Sequence, residues 1–225
     1  MYKGTNASDG IGIGTAVIVE EAELIITRRE VNDTEAEVQR FKGALETTIA
    51  ETQKMAEDLA ARVGEKEAEI MQGHMMLLSD PMLTGEIENS IQNDKVNSEF
   101  AIENVCNMYA DMFASMGDEL MQQRATDMRD IKVRMQRTLM GLQSVDVSAL
   151  PAGTILVAKD LTPSMTAGIN PANVTGIVTE LGGRTSHSAI LARALEIPAV
   201  VAVNGLLDEV KDGDTVVLDG SAGEV

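Results

Sequence analysis

Between Asn32 and Leu142 the chain carries a single proline, Pro81, while apolar residues recur there at close to helical spacing. Proline removes a backbone donor and clashes with the turn before it, so its near-absence over so long a stretch permits continuous helices. On either side the text is different. Short β-branched runs come first, TAVIV (Thr15 to Val19) and LIIT (Leu24 to Thr27). After Leu150 the runs TILVA, GIVTE, AVVAV and DTVVLD alternate with helical candidates at Thr162 to Ile169 and Ser188 to Leu195. Near-continuous Val and Ile suit strands covered on both faces. The expected fold class is α/β. Residues 1–31 and 144–225 form one α/β subdomain, and 32–143 form an inserted antiparallel helical bundle, four-helix-like in extent.

Local signals sharpen this reading. Val38, Phe41, Leu45, Ile49, Ala56, Leu59 and Val63 make one apolar stripe on the first helix. Asn32 followed by Glu35 predicts its capped start, and Asp80-Pro81 predicts another, with proline where a missing N–H costs nothing. Further helices are expected over Ser98 to Met116 and Arg124 to Leu142. Gly10, Gly12 and Gly14 do not satisfy the dinucleotide fingerprint, because Thr15 stands where the pattern continues, so a turn before a strand is expected.

Composition excludes several functions. The formal net charge is -18 and aromatic residues make up 2%, which argues against a nucleic-acid surface of basic patches and stacking rings. No apolar run approaches a membrane span. The one cysteine, Cys106, cannot form an internal disulfide, and MYKGTNASDG lacks the blocks of a secretory signal, so a cytoplasmic protein is expected.

The segment GGRTSHSAILARALEIPAVV, Gly182 to Val201, holds one of only two histidines. Gly182 and Gly183 permit close backbone approach, Thr185 or Ser186 can cap the following helix, and His187 falls in its first turn. Orphan amides and the positive end of the helix dipole favour an anion such as phosphate there and disfavour imidazolium. A neutral ring keeps a lone pair for nucleophilic attack, and Arg184, Thr185 and Ser186 can bind phosphoryl oxygens. No metal cage is in reach, and no acid sits in the loop as a base. Spacing alone leaves a structural histidine in a capped turn as the commoner alternative.

The same segment resembles the phosphohistidine motif of the phosphoenolpyruvate-utilising enzymes, matching the glycine pair, the Thr-Ser-His triplet, Ala192-Arg193 and Pro198 in order. The segments GTNASDGIGIGTAVIV, GHMMLLSDPML, RATDMRDIKVR and DLTPSMTAG extend the likeness to the N-terminal half of the enzyme I branch, across essentially the whole chain. The resemblance implies a phosphotransferase of the sugar phosphotransferase system. His187 would receive phosphate and pass it reversibly to HPr, which docks on the helical subdomain. It implies that Thr166, in DLTPSMTAG, brings its hydroxyl to the imidazole; a helix cap is the alternative. It puts Glu65, Glu67, Met71, His74, Leu77, Leu78 and Arg124 on or near the HPr face. Family members continue into a barrel that binds phosphoenolpyruvate and Mg²⁺ and mediates dimerisation. The implied fragment is therefore a monomer with no cofactor or metal of its own. The swivelling phosphohistidine domain of a pyruvate phosphate dikinase or phosphoenolpyruvate synthase, and a non-catalytic acidic adaptor, remain alternatives.

Twelve of the 14 methionines lie between Met55 and Met140, which suits an adaptable docking surface, with bundle core the blander reading. Asp33 to Glu119 holds 19 acidic and 6 basic residues, a net -13, whereas Arg124 to Arg137 is +3. The acidic stretch can steer a basic partner or form a solvated face. His74, with no other histidine or cysteine at ligand spacing, is not expected to bind metal, and Cys106 is assigned no chemistry.

Overall fold

The computed structural model describes residues 1–225. In chain order the elements are β1 (Thr5–Ser8), β2 (Ile11–Val19), α1 (Thr34–Arg62), α2 (Glu65–Leu78), α3 (Pro81–Asp94), α4 (Ser98–Ser115) and α5 (Glu119–Met140). Then follow β3 (Thr154–Ala158), α6 (Pro163–Gly168), β4 (Val174–Thr179), α7 (His187–Ala194), β5 (Ala199–Val201), α8 (Leu206–Glu209) and β6 (Thr215–Asp219). The chain divides into two compact units. One comprises Met1–Glu21, Leu59–Glu67 and Val145–Val225, the other Ala22–Asp58 and Ala68–Ser144.

In the α/β unit six strands run in the order β1-β5-β4-β3-β2-β6. The four central strands pair parallel, and β1 and β6 join antiparallel at the edges. Alternation along the strands divides the sheet between two apolar layers. Leu156, Ala158, Ile177, Ala199 and Val201 pack with α6 and α7 residues, while Ile155, Val157, Val178 and Val200 pack with Leu206 and Leu218. This double burial is why the strands read as unbroken Val and Ile runs. The edges are tied as well. The Tyr2 and Gly4 amides donate to Val225 and Gly223 carbonyls, which curls the sheet and leaves little free edge.

The glycine run lies inside β2, not in a turn before it. Only Gly10 turns, at φ +117°. A Cβ on Gly14 would stand 2.2 Å from the Gly153 carbonyl oxygen, and one on Gly12 2.6 Å from that of Thr175, so these glycines admit a neighbouring backbone. At the far end of α7, Glu196 takes φ +55° while the Ile197 amide closes on the Ala192 carbonyl. That position favours glycine, so Glu196→Gly should raise stability by about 0.5–1 kcal/mol in urea unfolding.

The helical unit draws one core from α1 to α5, including Phe41, Leu78, Ile87, Ile102, Met128 and Met135. That makes five helices contributing where a four-helix-like unit is expected. The cap of α1 is Asp33, which accepts from the Ala36 amide at 2.9 Å, one residue beyond the expected Asn32. Asp80 and Pro81 start α3 as expected. The last helix begins five residues early, at Glu119, because Asp118 accepts from the Met121 amide. Leu24 to Thr27 forms no strand. Its neighbourhood is tied to the helices instead: Arg29 and Asn97 exchange bonds at 2.8 and 3.1 Å, and Arg137 donates to the Ala22 carbonyl. With only a single bridge, Glu30 to Val96, there is no ladder to join.

Most of the basic stretch at the end of the bundle faces inward, and Arg129 is its one exposed member. Lys132 pairs with Glu103 at 3.1 Å, and Arg134 and Arg137 are buried. The methionines divide. Met71, Met128 and Met135 are core, whereas Met76, Met82, Met108, Met112 and Met116 face solvent. Cys106 is buried, and burial pushes its thiol up to about 12, so it stays protonated and inert at neutral pH.

Candidate active site

Two loops leave the sheet side by side at the C-terminal ends of β3 and β4. The ladder pairing Ala158 with Thr179 continues beyond the strands, since Glu180 donates to the Ala158 carbonyl at 3.1 Å and Leu181 to that of Lys159 at 2.8 Å. The first loop leads to α6 and the second to α7. Crevices at the carboxyl ends of parallel strands are where such sheets bind ligands.

The second loop is built to deliver one residue. Gly182 turns at φ +99°, and a Cβ on Gly183 would meet nothing within 4 Å, which leaves open space beside the helix start. Ser186 caps α7: its hydroxyl oxygen accepts from the Ala189 amide at 3.3 Å and its own proton goes to the Gly183 carbonyl at 2.8 Å. His187 is the first helical residue, and only 9% of it is exposed. The first-turn amides of α7 precede any intrahelical acceptor, which makes this end of the helix favourable for an anion. Arg184 and Thr185 are exposed on the loop that precedes them.

The first loop supplies Thr166 and an acid that sequence reasoning missed. Thr162, not Thr166, caps α6 through the Met165 amide. Thr166 is buried one turn later, its hydroxyl donating to the carbonyls of Pro163 and Thr162 at 2.9 and 3.0 Å. Helices α6 and α7 pack together. Burial pushes the Asp160 carboxyl up, while the Leu161 amide and the His187 imidazole pull it down, so this acid is electrically coupled to the histidine. Its only sequence signal was its place just past a central parallel strand.

The family description "PEP-utilising enzyme, N-terminal" matches residues 3–124, and "PEP-utilising enzyme, mobile domain" matches residues 150–223. The chain belongs to the phosphoenolpyruvate-utilising enzymes. It is 44% identical to the phosphoenolpyruvate-protein phosphotransferase of Listeria monocytogenes over 99% of its own length and 39% of that relative's. For the protein of the same name in Bacillus subtilis the figures are 42%, 99% and 39%. It thus spans about two fifths of the length of these curated relatives. A solution structure of Enzyme I (nEIt) superposes with a TM-score of 0.84 at 40% identity, covering the whole of this chain and 91% of that one.

The residues expected on a partner face of this family member do not all lie at a surface. Met71, His74 and Leu78 are fully buried, at the i, i+3, i+7 spacing of a core stripe on α2. The His74 ring sits 3.2 Å from Asp127 and 3.8 Å from Asp130, and Arg124 lies 4.0 Å from Asp127 with its guanidinium against Gly73. Leu77 is half-buried against the core. Glu65 is exposed and Glu67 half-buried, and both belong to the α/β unit's segment Leu59–Glu67. In that segment Arg62 donates to the carbonyls of Ala167 and Ile169, anchoring the end of α6. No group of three or more His, Cys, Asp or Glu side chains is arranged to hold a metal ion.

Proposed function

We propose that this chain is the phosphoryl-carrier half of a phosphoenolpyruvate-protein phosphotransferase and that His187 is the residue phosphorylated. One observation carries the reading: His187 opens α7 on the loop that leaves β4 beside the loop from β3, at the positive end of the helix. A ring nitrogen lone pair of His187 attacks phosphorus and forms a P–N bond. The bond from phosphorus to the donor breaks, and its electron pair stays on the donor. With phosphoenolpyruvate the donor atom is the enol oxygen, in a part of the enzyme outside these 225 residues that would also hold Mg²⁺. With HPr it is a ring nitrogen of the carrier, and the step reverses. Such transfers pass through a loose transition state, so the protein's work is to place charge: the head of α7, Arg184 and the Thr185 hydroxyl serve the phosphoryl oxygens, and Ser186 supports them as the helix cap. Thr166 and Asp160 steady the imidazole side of the site.

Residues 32–143 are the HPr-docking part in this reading, with Glu65, Glu67, Leu77 and Arg124 toward the carrier and Met71, His74 and Leu78 supporting them from inside. The match of the N-terminal family description over residues 3–124 favours this over a dikinase's swivelling domain. With this carrier as its partner the chain would work in the cytoplasm.

Incubation with phosphorylated HPr should add one phosphoryl mass to the intact protein, labile in acid and stable in alkali. Binding without a mass gain would instead mark an adaptor. Glu67→Lys should slow association several-fold at low salt, about fivefold, and much less at high salt, because screening shortens the range of steering charges. A loss independent of salt, read by stopped-flow, would contradict steering at this position.

A further inference from the structure

Arg193 lies on the exposed side of α7, where a basic residue in the last turn needs no explanation beyond the helix dipole. Its guanidinium nevertheless spans two separate pieces of backbone. One terminal nitrogen donates to the Ala7 carbonyl at 2.8 Å, the other to the Arg184 carbonyl at 3.0 Å. The first acceptor exists because β1 is bulged: Asn6 pairs with Val200 and Ser8 with Ala199, leaving Ala7 as the extra residue with its carbonyl outside the ladder. The second belongs to the loop that delivers His187. Together with the Ser186 hydroxyl on the Gly183 carbonyl, the bridge fixes two consecutive peptide groups just before the helix start.

We propose that Arg193 is a positioning residue for the carrier histidine: its planar fork fastens the 182–186 loop to the bulge of β1 and so holds the head of α7, with His187, in place. This rests on the phosphoryl-carrier reading of His187. The role requires two donors at fixed spacing, which an arginine supplies and a lysine does not. The groove beside the bridge, lined by Asn6, Asp9, Arg184 and Glu196, gives the loop room to drift once the bridge is gone.

Arg193→Lys and Arg193→Met should each slow phosphoryl uptake from phosphorylated HPr by about 10- to 100-fold in the maximal rate, since misplacement of about 1 Å is enough for such losses. The KM for the carrier should stay within about twofold. Amide hydrogen exchange should quicken at Arg184 to Ser186 and not in β3 or β4. Full activity in the lysine variant would overturn the proposal, as would a loss confined to KM or exchange that quickens throughout the unit. Failure of the wild-type chain to take phosphate would instead overturn the carrier reading, and the exchange data would still decide whether Arg193 holds the loop.

Discussion

His187→Ala is expected to leave the fold standing and to reduce phosphoryl uptake below detection. Alanine is a good helix former at the first helical position, the Ser186 cap does not use the imidazole, and most of the α7 packing comes from Ala189, Leu191 and Ala192. The stability change should therefore stay within about 2 kcal/mol. No other residue can substitute. The second histidine, His74, is fully enclosed among acids in the helical unit and is closed to a donor. Binding of HPr should persist, because the substitution does not alter the acidic helical surface. Uptake measured by intact mass together with unfolding in urea separates lost chemistry from lost structure. Residual uptake at the wild-type rate would mean the nucleophile lies elsewhere.

Glu99→Ala should produce a large loss of stability in the helical unit. The carboxylate is almost wholly buried and binds Arg40, at 3.2 Å to one guanidinium nitrogen, with Arg29 at 3.6 Å and the Asn97 amide at 2.9 Å. Burial pushes its pKa up, but the bonds from Arg40 and Asn97 outweigh burial and hold it at about 2 against an ordinary 4.5. A carboxyl depressed in the folded state adds stability that is complete above the unfolded pKa and disappears as pH falls through the folded one. A shift of this size is worth about 2–3 kcal/mol, the lower figure because water reaches Arg40. Wild-type stability should thus fall between pH 4.5 and 2 more steeply than that of the variant. At neutral pH the variant should be less stable by about 3 kcal/mol, since the partners lose their buried acceptor. Parallel pH profiles in urea melts would contradict this account of the Arg40–Glu99 pair.

Some of this molecule is written locally. The doubly buried strands show as Val and Ile runs, the start of α3 as Asp80-Pro81, and the start of α7 as Ser186 ahead of an apolar helix. Each is a contest decided within a few residues. What was not legible depends on who the neighbours are. Leu24 to Thr27 has strand composition, but it runs beside helices and finds no ladder. Gly12 and Gly14 look like a turn until the backbones of Gly153 and Thr175 stand against them. Met71, His74 and Leu78 carried a partner-face assignment by resemblance, although their own spacing on α2 was that of a buried stripe. Asp160 reaches the site only because β3 and β4 are adjacent and parallel. Arg193 acts through a bulge carbonyl nearly the whole chain away, and no spacing rule within α7 points to it.

The central claim is that a histidine at the head of α7 stores a phosphoryl group. Tandem mass spectrometry of the wild-type protein after reaction with phosphorylated HPr, kept alkaline to preserve the P–N bond, reads the claim directly. The phosphoryl group should be found on His187 alone, with one group per chain. A label on His74 or on a hydroxyl residue, or an unlabelled His187 in protein that binds the carrier, would contradict it.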